Sequence, residues 1–111
     1  MTTGKITLKD APDISVPTGL YIDGKFRAAS GGGTFPVLNP ATEQPLCSVA
    51  DGTVEDAKSA LDAADRAFAG WGAKSPRERG EILRKCFELF IARKEYFARL
   101  MTLENGKALV D

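Results

Sequence analysis

Apolar and polar positions follow two different rhythms along this chain, and the change falls near residue 50. Before it, apolar residues come in short runs. Leu20-Tyr21-Ile22 and Lys25-Phe26-Arg27 flank Asp23-Gly24, which predicts a β-hairpin, because Asp-Gly supplies the positive φ values a two-residue turn needs. Phe35 to Leu38 and Leu46 to Ala50 predict two further short strands. They are joined by Asn39-Pro40-Ala41-Thr42-Glu43, a loop opened by an Asn-Pro turn signal. Ser30-Gly31-Gly32-Gly33 reads as a flexible connector. The opening MTTGKITLKDAPDISVPT alternates polar with apolar residues, and residues 1–19 are read as a loosely ordered N-terminal arm.

After residue 50 the spacing turns helical. Thr53 opens a helix, with Asp56 at the third helical position as a shorter form of the capping box. Val54, Ala57, Leu61, Ala64 and Phe68 form one apolar stripe, expected to pack on the core, opposite Glu55, Lys58, Asp62 and Asp65. Gly70-Trp71-Gly72 is expected to end this helix. Ser75-Pro76-Arg77-Glu78 then places an N-cap Ser, a first-position Pro and a Glu that returns the cap. The apolar face that follows, through Ile82, Leu83, Cys86, Phe87, Leu89, Phe90 and Ile91, is wide enough to predict burial on more than one side. Arg93-Lys94-Glu95 interrupts it and favours two helices over one long one. Tyr96, Phe97, Leu100, Met101 and Leu103 resume it as far as Asn105-Gly106, a helix stop. Lys107-Ala108-Leu109-Val110 then reads as the start of a further element. The fold class is α+β: short β-hairpins followed by two or three helices.

At 111 residues the chain is at most one domain. Fifteen Lys+Arg oppose fifteen Asp+Glu, four of each sign before residue 50 and eleven of each after it. No basic field draws it to nucleic acid or to an anionic membrane. No apolar run approaches the ~20 residues of a membrane span, and the first residues lack the apolar block of a signal peptide. A cytoplasmic location is expected. Arg77 to Lys85 looks basic, but Glu78 and Glu81 are interleaved, and a solvated helix face with a Glu81–Lys85 pair is expected.

Chemistry is sparse. The absence of histidine removes Ser-His-Asp and Cys-His catalysis and Cys/His zinc sites. Neither GxGxxG nor GxxxxGK[ST] occurs, and the Gly31-Gly32-Gly33 run precedes no helix. Of the two cysteines, Cys86 is expected to be buried and inert in the apolar helix face. Cys47 lies on a strand with no base nearby in sequence. No catalytic, cofactor-binding or metal-binding residue is assigned.

Three stretches carry a family likeness. YIDGKFRAA at Tyr21 to Ala29, followed by TFPVLNPATEQPLCSVADG at Thr34 to Gly52, resembles the opening of an NAD(P)-dependent aldehyde dehydrogenase. AADRAFAGWGAKSPRERGEILRKCFELF at Ala63 to Phe90 resembles the two helices that follow in that family. ARLMTLENGKAL at Ala98 to Leu109 is similar to a region of the succinate-semialdehyde dehydrogenase branch, with Ala108 where the family usually has Pro.

The resemblance implies that residues 20–111 are the incomplete N-terminal segment of the cofactor-binding domain of an α/β aldehyde dehydrogenase fold. It implies a complete enzyme in which a cysteine thiolate attacks the aldehyde, hydride passes to NAD or NADP, and water releases the acid. The nucleophile, base, oxyanion asparagine and cofactor contacts would lie in later chain, so this piece is expected to be scaffold, inactive alone and without cofactor. Its partners would be the remainder of the chain and, in the complete enzyme, further copies. The carbonyls of Val37 and Leu38 would supply half of a monovalent-cation site, which this stretch alone is not expected to fill. The alternatives are a self-standing α+β binding module and an inactive partner of a full-length paralogue. The isolated chain is expected to be helical, loosely packed and prone to associate, with the helical hairpin from Thr53 to Glu104 as its best-formed part.

Overall fold

The structure, a computed structural model, describes residues 5–9 and 11–110. Among the described residues, three antiparallel two-stranded sheets precede three helices. β1 (Lys5–Leu8) pairs with β2 (Ala11–Pro17), β3 (Leu20–Ile22) with β4 (Lys25–Arg27), and β5 (Thr34–Leu38) with β6 (Pro45–Ala50). Then come α1 (Val54–Ala73), α2 (Pro76–Ala92) and α3 (Lys94–Asn105). The α+β expectation holds. Asp23 and Gly24 take φ values of 53° and 75°, which close β3 on β4 through the turn that Asp-Gly encodes.

The core sits where the sequence reading placed an arm. Leu8, Ala11, Ile14 and Val16 are buried together with Leu46 of β6, and Tyr96, Leu100 and Leu103 of α3 pack against them. Lys5–Leu8 and Ala11–Pro17 are therefore paired strands whose inward side chains form most of the apolar centre, not a loosely ordered arm. The polar–apolar alternation of that segment is strand periodicity with one face covered. Residues 1–4 and 10 of the expected arm, and Asp111, lie outside the described residues. The Lys9 N–H donates to the Leu46 carbonyl at 3.2 Å, and the Ala50 N–H donates to that of Thr18 at 2.8 Å, so β6 is bonded along its second side as well. α3 covers the other edge of β2: the Tyr96 hydroxyl donates to the Ser15 carbonyl at 2.9 Å, and the Arg99 guanidinium grips the Asp13 carboxylate through both oxygens. A covered edge offers no template to another strand.

The helices depart further from expectation. α1 runs through Gly70-Trp71-Gly72 to Ala73 before Lys74 ends it. Its buried residues are Asp56 and Ala63, while Val54, Leu61 and Phe68 of the apolar stripe are 66%, 69% and 76% exposed. The face that meets the strands is thus the one carrying Asp56, because hydrogen bonds hold that carboxylate there, and the apolar stripe looks outward. α2 buries no residue. Cys86, expected in the interior, is exposed, because the described residues leave most of the α2 face uncovered. Arg84 bonds both Glu81 and Glu88 at 2.8 Å, in place of the expected Glu81–Lys85 pair; its fork reaches both neighbours at once.

The break between α2 and α3 falls at Arg93, as the charged interruption suggests. Arg93 leaves helical geometry at φ −118°, ψ 20°, and its guanidinium lies over the rings of Tyr96 and Phe97. Gly106 ends α3 in the left-handed conformation at φ 81°. Packing is therefore concentrated in the strands and α3, while α1 and α2 turn most of their large apolar side chains outward. The radius of gyration is 16.8 Å, against about 13 Å for a compact chain of this length. Among the described residues, no helix is long and apolar enough to cross a membrane.

Candidate functional site

The most polar interior position is the head of α1. Thr53 caps the helix with its side chain, and Asp56 returns the cap to the Thr53 N–H at 2.9 Å. Asp56 is only 2% exposed. A carboxylate so placed must have its lone pairs filled. The Ser30 N–H donates to both carboxylate oxygens at 3.0 and 3.3 Å, and Arg27 Nη2 reaches one of them at 2.8 Å. The hydroxyls of Thr53 and Ser30 lie within 3.1 and 3.3 Å of it and 2.6 Å from each other, so one of them donates to its neighbour and the other is free to donate to the carboxylate. The Thr53 and then the Ser30 backbone N–H groups hold the Asp56 pKa down to about 2. Such a group stays ionised with its acceptor positions filled, so it does not serve as a general base near neutrality. It anchors α1 to the β3–β4 hairpin and the glycine connector.

The capping box at Thr53 was legible in the sequence. Arg27 and Ser30 were not, because they lie 29 and 26 residues away and no local spacing joins them to Asp56.

An open cleft of about 490 Å³ separates the β3–β4 hairpin from α1. Lys25, Arg27, Arg66, Asp23 and Asp62 line it with mixed charge; Arg27 is paired with Asp56, and Arg66 approaches Asp23 at 3.5 Å. Mixed charge of this kind sets no preference for a charged ligand.

The Asn39 loop is the second ordered polar feature. Asn39 is buried, and its Oδ1 accepts from the Ala41 N–H at 2.9 Å while its own N–H donates to the Gln44 carbonyl at 2.9 Å. The β5–β6 register shifts between Val37 and Leu38, the two residues whose carbonyls the resemblance singles out. Behind the loop, Gly106 abuts Pro40: a Cβ on that glycine would lie 3.3 Å from Pro40 Cγ.

Cys47 is half-buried, and burial followed by the nearby Glu104 charge pushes its thiol pKa up. Among the described residues, no group of three or more His, Cys, Asp or Glu is placed to hold a metal ion.

A helix N-terminus with free N–H groups suits the pyrophosphate of a dinucleotide. At α1 and α2 that position is taken by the helices' own carboxylates, Asp56 on Thr53 and Glu78 on Ser75, which would repel a phosphate. α3 begins at Arg93 without a side-chain cap, but no glycine turn leads into it.

Comparison with known proteins gives this geometry a setting. A family model described as the aldehyde dehydrogenase family matches residues 26–111. An aldehyde dehydrogenase of Alternaria alternata is 39% identical over 109 residues, 97% of this chain and 22% of that protein. The NADP(+) succinate-semialdehyde dehydrogenase 1 of Schizosaccharomyces pombe is 40% identical over 95 residues, 86% of this chain and 19% of that protein. A crystal structure of betaine aldehyde dehydrogenase from Staphylococcus aureus in complex with NAD+ superposes with a TM-score of 0.81 at 34% identity, covering 84% of this chain and 19% of that one. This chain thus spans about a fifth of the length of the curated relatives it matches.

Proposed function

The chain belongs to the aldehyde dehydrogenase family, and from that premise we propose that it is the opening scaffold of an enzyme that oxidises an aldehyde to its carboxylic acid with NAD or NADP as hydride acceptor. Its hairpins and helices match the N-terminal part of the aldehyde dehydrogenase fold. On this reading residues 20–111 open the cofactor-binding domain, and these residues alone do not catalyse. No catalytic, cofactor-binding or metal-binding role is given to any of them. The observation that carries the reading is the joint one: most of this chain superposes on a dehydrogenase while accounting for 19% of it. The outward apolar faces of α1 and α2 support it, because an enzyme of that length would supply the missing cover. The partners are then the remainder of the dehydrogenase chain and other copies of the whole enzyme, acting in the cytoplasm.

Succinic semialdehyde is the proposed substrate. Support comes from the similarity of the Ala98–Leu109 stretch to that branch and from the S. pombe relative at 40% identity.

The purified chain, offered aldehyde with NAD+ and with NADP+, is expected to form no reduced cofactor. Reproducible formation in a preparation free of longer dehydrogenase would overturn the scaffold reading. In the enzyme completed from its own coding sequence, succinic semialdehyde is expected to turn over faster than uncharged aldehydes of similar size. The reverse order would overturn the substrate reading and leave the family untouched.

A further inference from the structure

The β1–β2 hairpin lies ahead of residue 26, where the family match begins, yet it supplies most of the buried apolar centre. We infer that this hairpin is a strap that sets the Asn39–Gln44 loop at a distance, by holding α3 against it. The inference goes beyond the enzymatic reading and does not depend on it.

The strap grips α3 in two chemistries. Tyr96 donates to the Ser15 carbonyl and Arg99 spans both oxygens of Asp13, while Leu100 and Leu103 pack on the cluster of Leu8, Ile14 and Val16. The polar contacts join residues 81 and 86 positions apart, so they fix where the whole helix lies relative to the hairpin.

The far end of the same helix meets the loop without a gap. Gly106 ends α3 in a left-handed turn, its N–H donating to the Thr102 carbonyl at 2.9 Å. A Cβ on Gly106 would crowd the Pro40 ring, at 3.3 Å from its Cγ, so the helix end and the loop stand close together. Thr102 also donates to the Lys107 carbonyl at 2.6 Å, which ties down the exit from the helix. A shift of α3 therefore moves Gly106 against Pro40, and with it a loop closed by the Glu43 N–H on the Asn39 carbonyl at 2.7 Å. The hairpin has a second link to the loop's strand, from the Lys9 N–H to Leu46. Loosening Tyr96 or Asp13 leaves that link in place, so the two routes can be separated.

Amide hydrogen exchange on the full chain tests this with Tyr96→Phe, Asp13→Asn and the double variant. Losing one such bond is expected to speed exchange about three- to tenfold in α3 and also at Asn39, Thr42 and Glu43. The first turn of α1 and the β3–β4 hairpin, held through Asp56, should keep the parent rate. Faster exchange in α3 with an unchanged loop would overturn the inference, as would unchanged exchange in both or an equal rise across α1. If the double variant loses protection throughout, Tyr96→Phe alone decides by the same criteria.

Discussion

The chain uses the same helix-opening device twice, and the two copies have different fates. Thr53 with Asp56 and Ser75 with Glu78 both form complete capping boxes, with cap bonds of 2.8 to 3.2 Å. At α2 the device stays local: Ser75 and Glu78 are exposed and bond each other. At α1 the returning carboxylate is buried, and Arg27 and Ser30 converge on it from the hairpin region. A motif that usually starts a helix has there become the joint between a helix and a sheet. The shorter Asp side chain keeps its carboxylate close to the backbone, where neighbouring N–H groups reach it.

Removing the two returning carboxylates tests that contrast most strongly. Asp56→Ala is expected to cause a large drop in melting temperature, because it leaves the Ser30 N–H and Arg27 without their acceptor. Glu78→Ala should cause a much smaller one. Equal drops would mean that burial adds nothing to the cap.

Acid should separate the boxes next. The folded Asp56 pKa is about 2 against an ordinary 3.8, so its stabilisation is complete above the ordinary value and is lost as pH falls from about 3.8 toward 2. Glu78 is lowered with the same sign, chiefly by the Ser75 N–H. Melting curves across that window should flatten on Asp56→Asn, and less so on Glu78→Gln. An unchanged acid limb in Asp56→Asn would contradict the assignment.

Ser75→Ala is a smaller test, expected to cost about 0.5–2 kcal/mol in chemical denaturation, with Ser59→Ala inside α1 close to neutral. Equal effects would argue against the cap. Smallest of all, Cys86→Ser should change stability by under about 0.5 kcal/mol. In the parent chain Cys86 should react with a thiol reagent faster than Cys47, whose thiol is partly covered and raised in pKa. The opposite order would contradict the open placement of α2.

What the sequence revealed was local. The Asp23-Gly24 turn, both caps, the break at Arg93 and the left-handed Gly106 each depend on residues within a few positions of one another. What it hid depends on distant chain. The segment from Lys5 to Pro17 has the right alternation for strands, but only Leu46 and α3 show which face is covered. The apolar stripe of α1 pointed to the wrong packing face because a hydrogen-bonded carboxylate outranks it as the contact to the strands. Cys86 followed the same error, since a wide apolar face predicts burial only when something lies over it. Of the site at Asp56, the Thr53 half was readable and the Arg27–Ser30 half was not.

The placement of Tyr96 against Ser15 has a consequence for synthesis on the ribosome. The two residues are 81 positions apart, and at about 5–20 residues per second the helix follows the hairpin by roughly 4–16 s. Hairpins close in about 1–10 μs, so β1 and β2 can pair long before α3 exists. During that interval Ile14 and Val16 lack their helical cover and the outer edge of β2 has open carbonyls. The nascent chain thus presents a sticky strand for seconds, a window in which a chaperone that binds extended apolar segments would compete with α3 for the same edge.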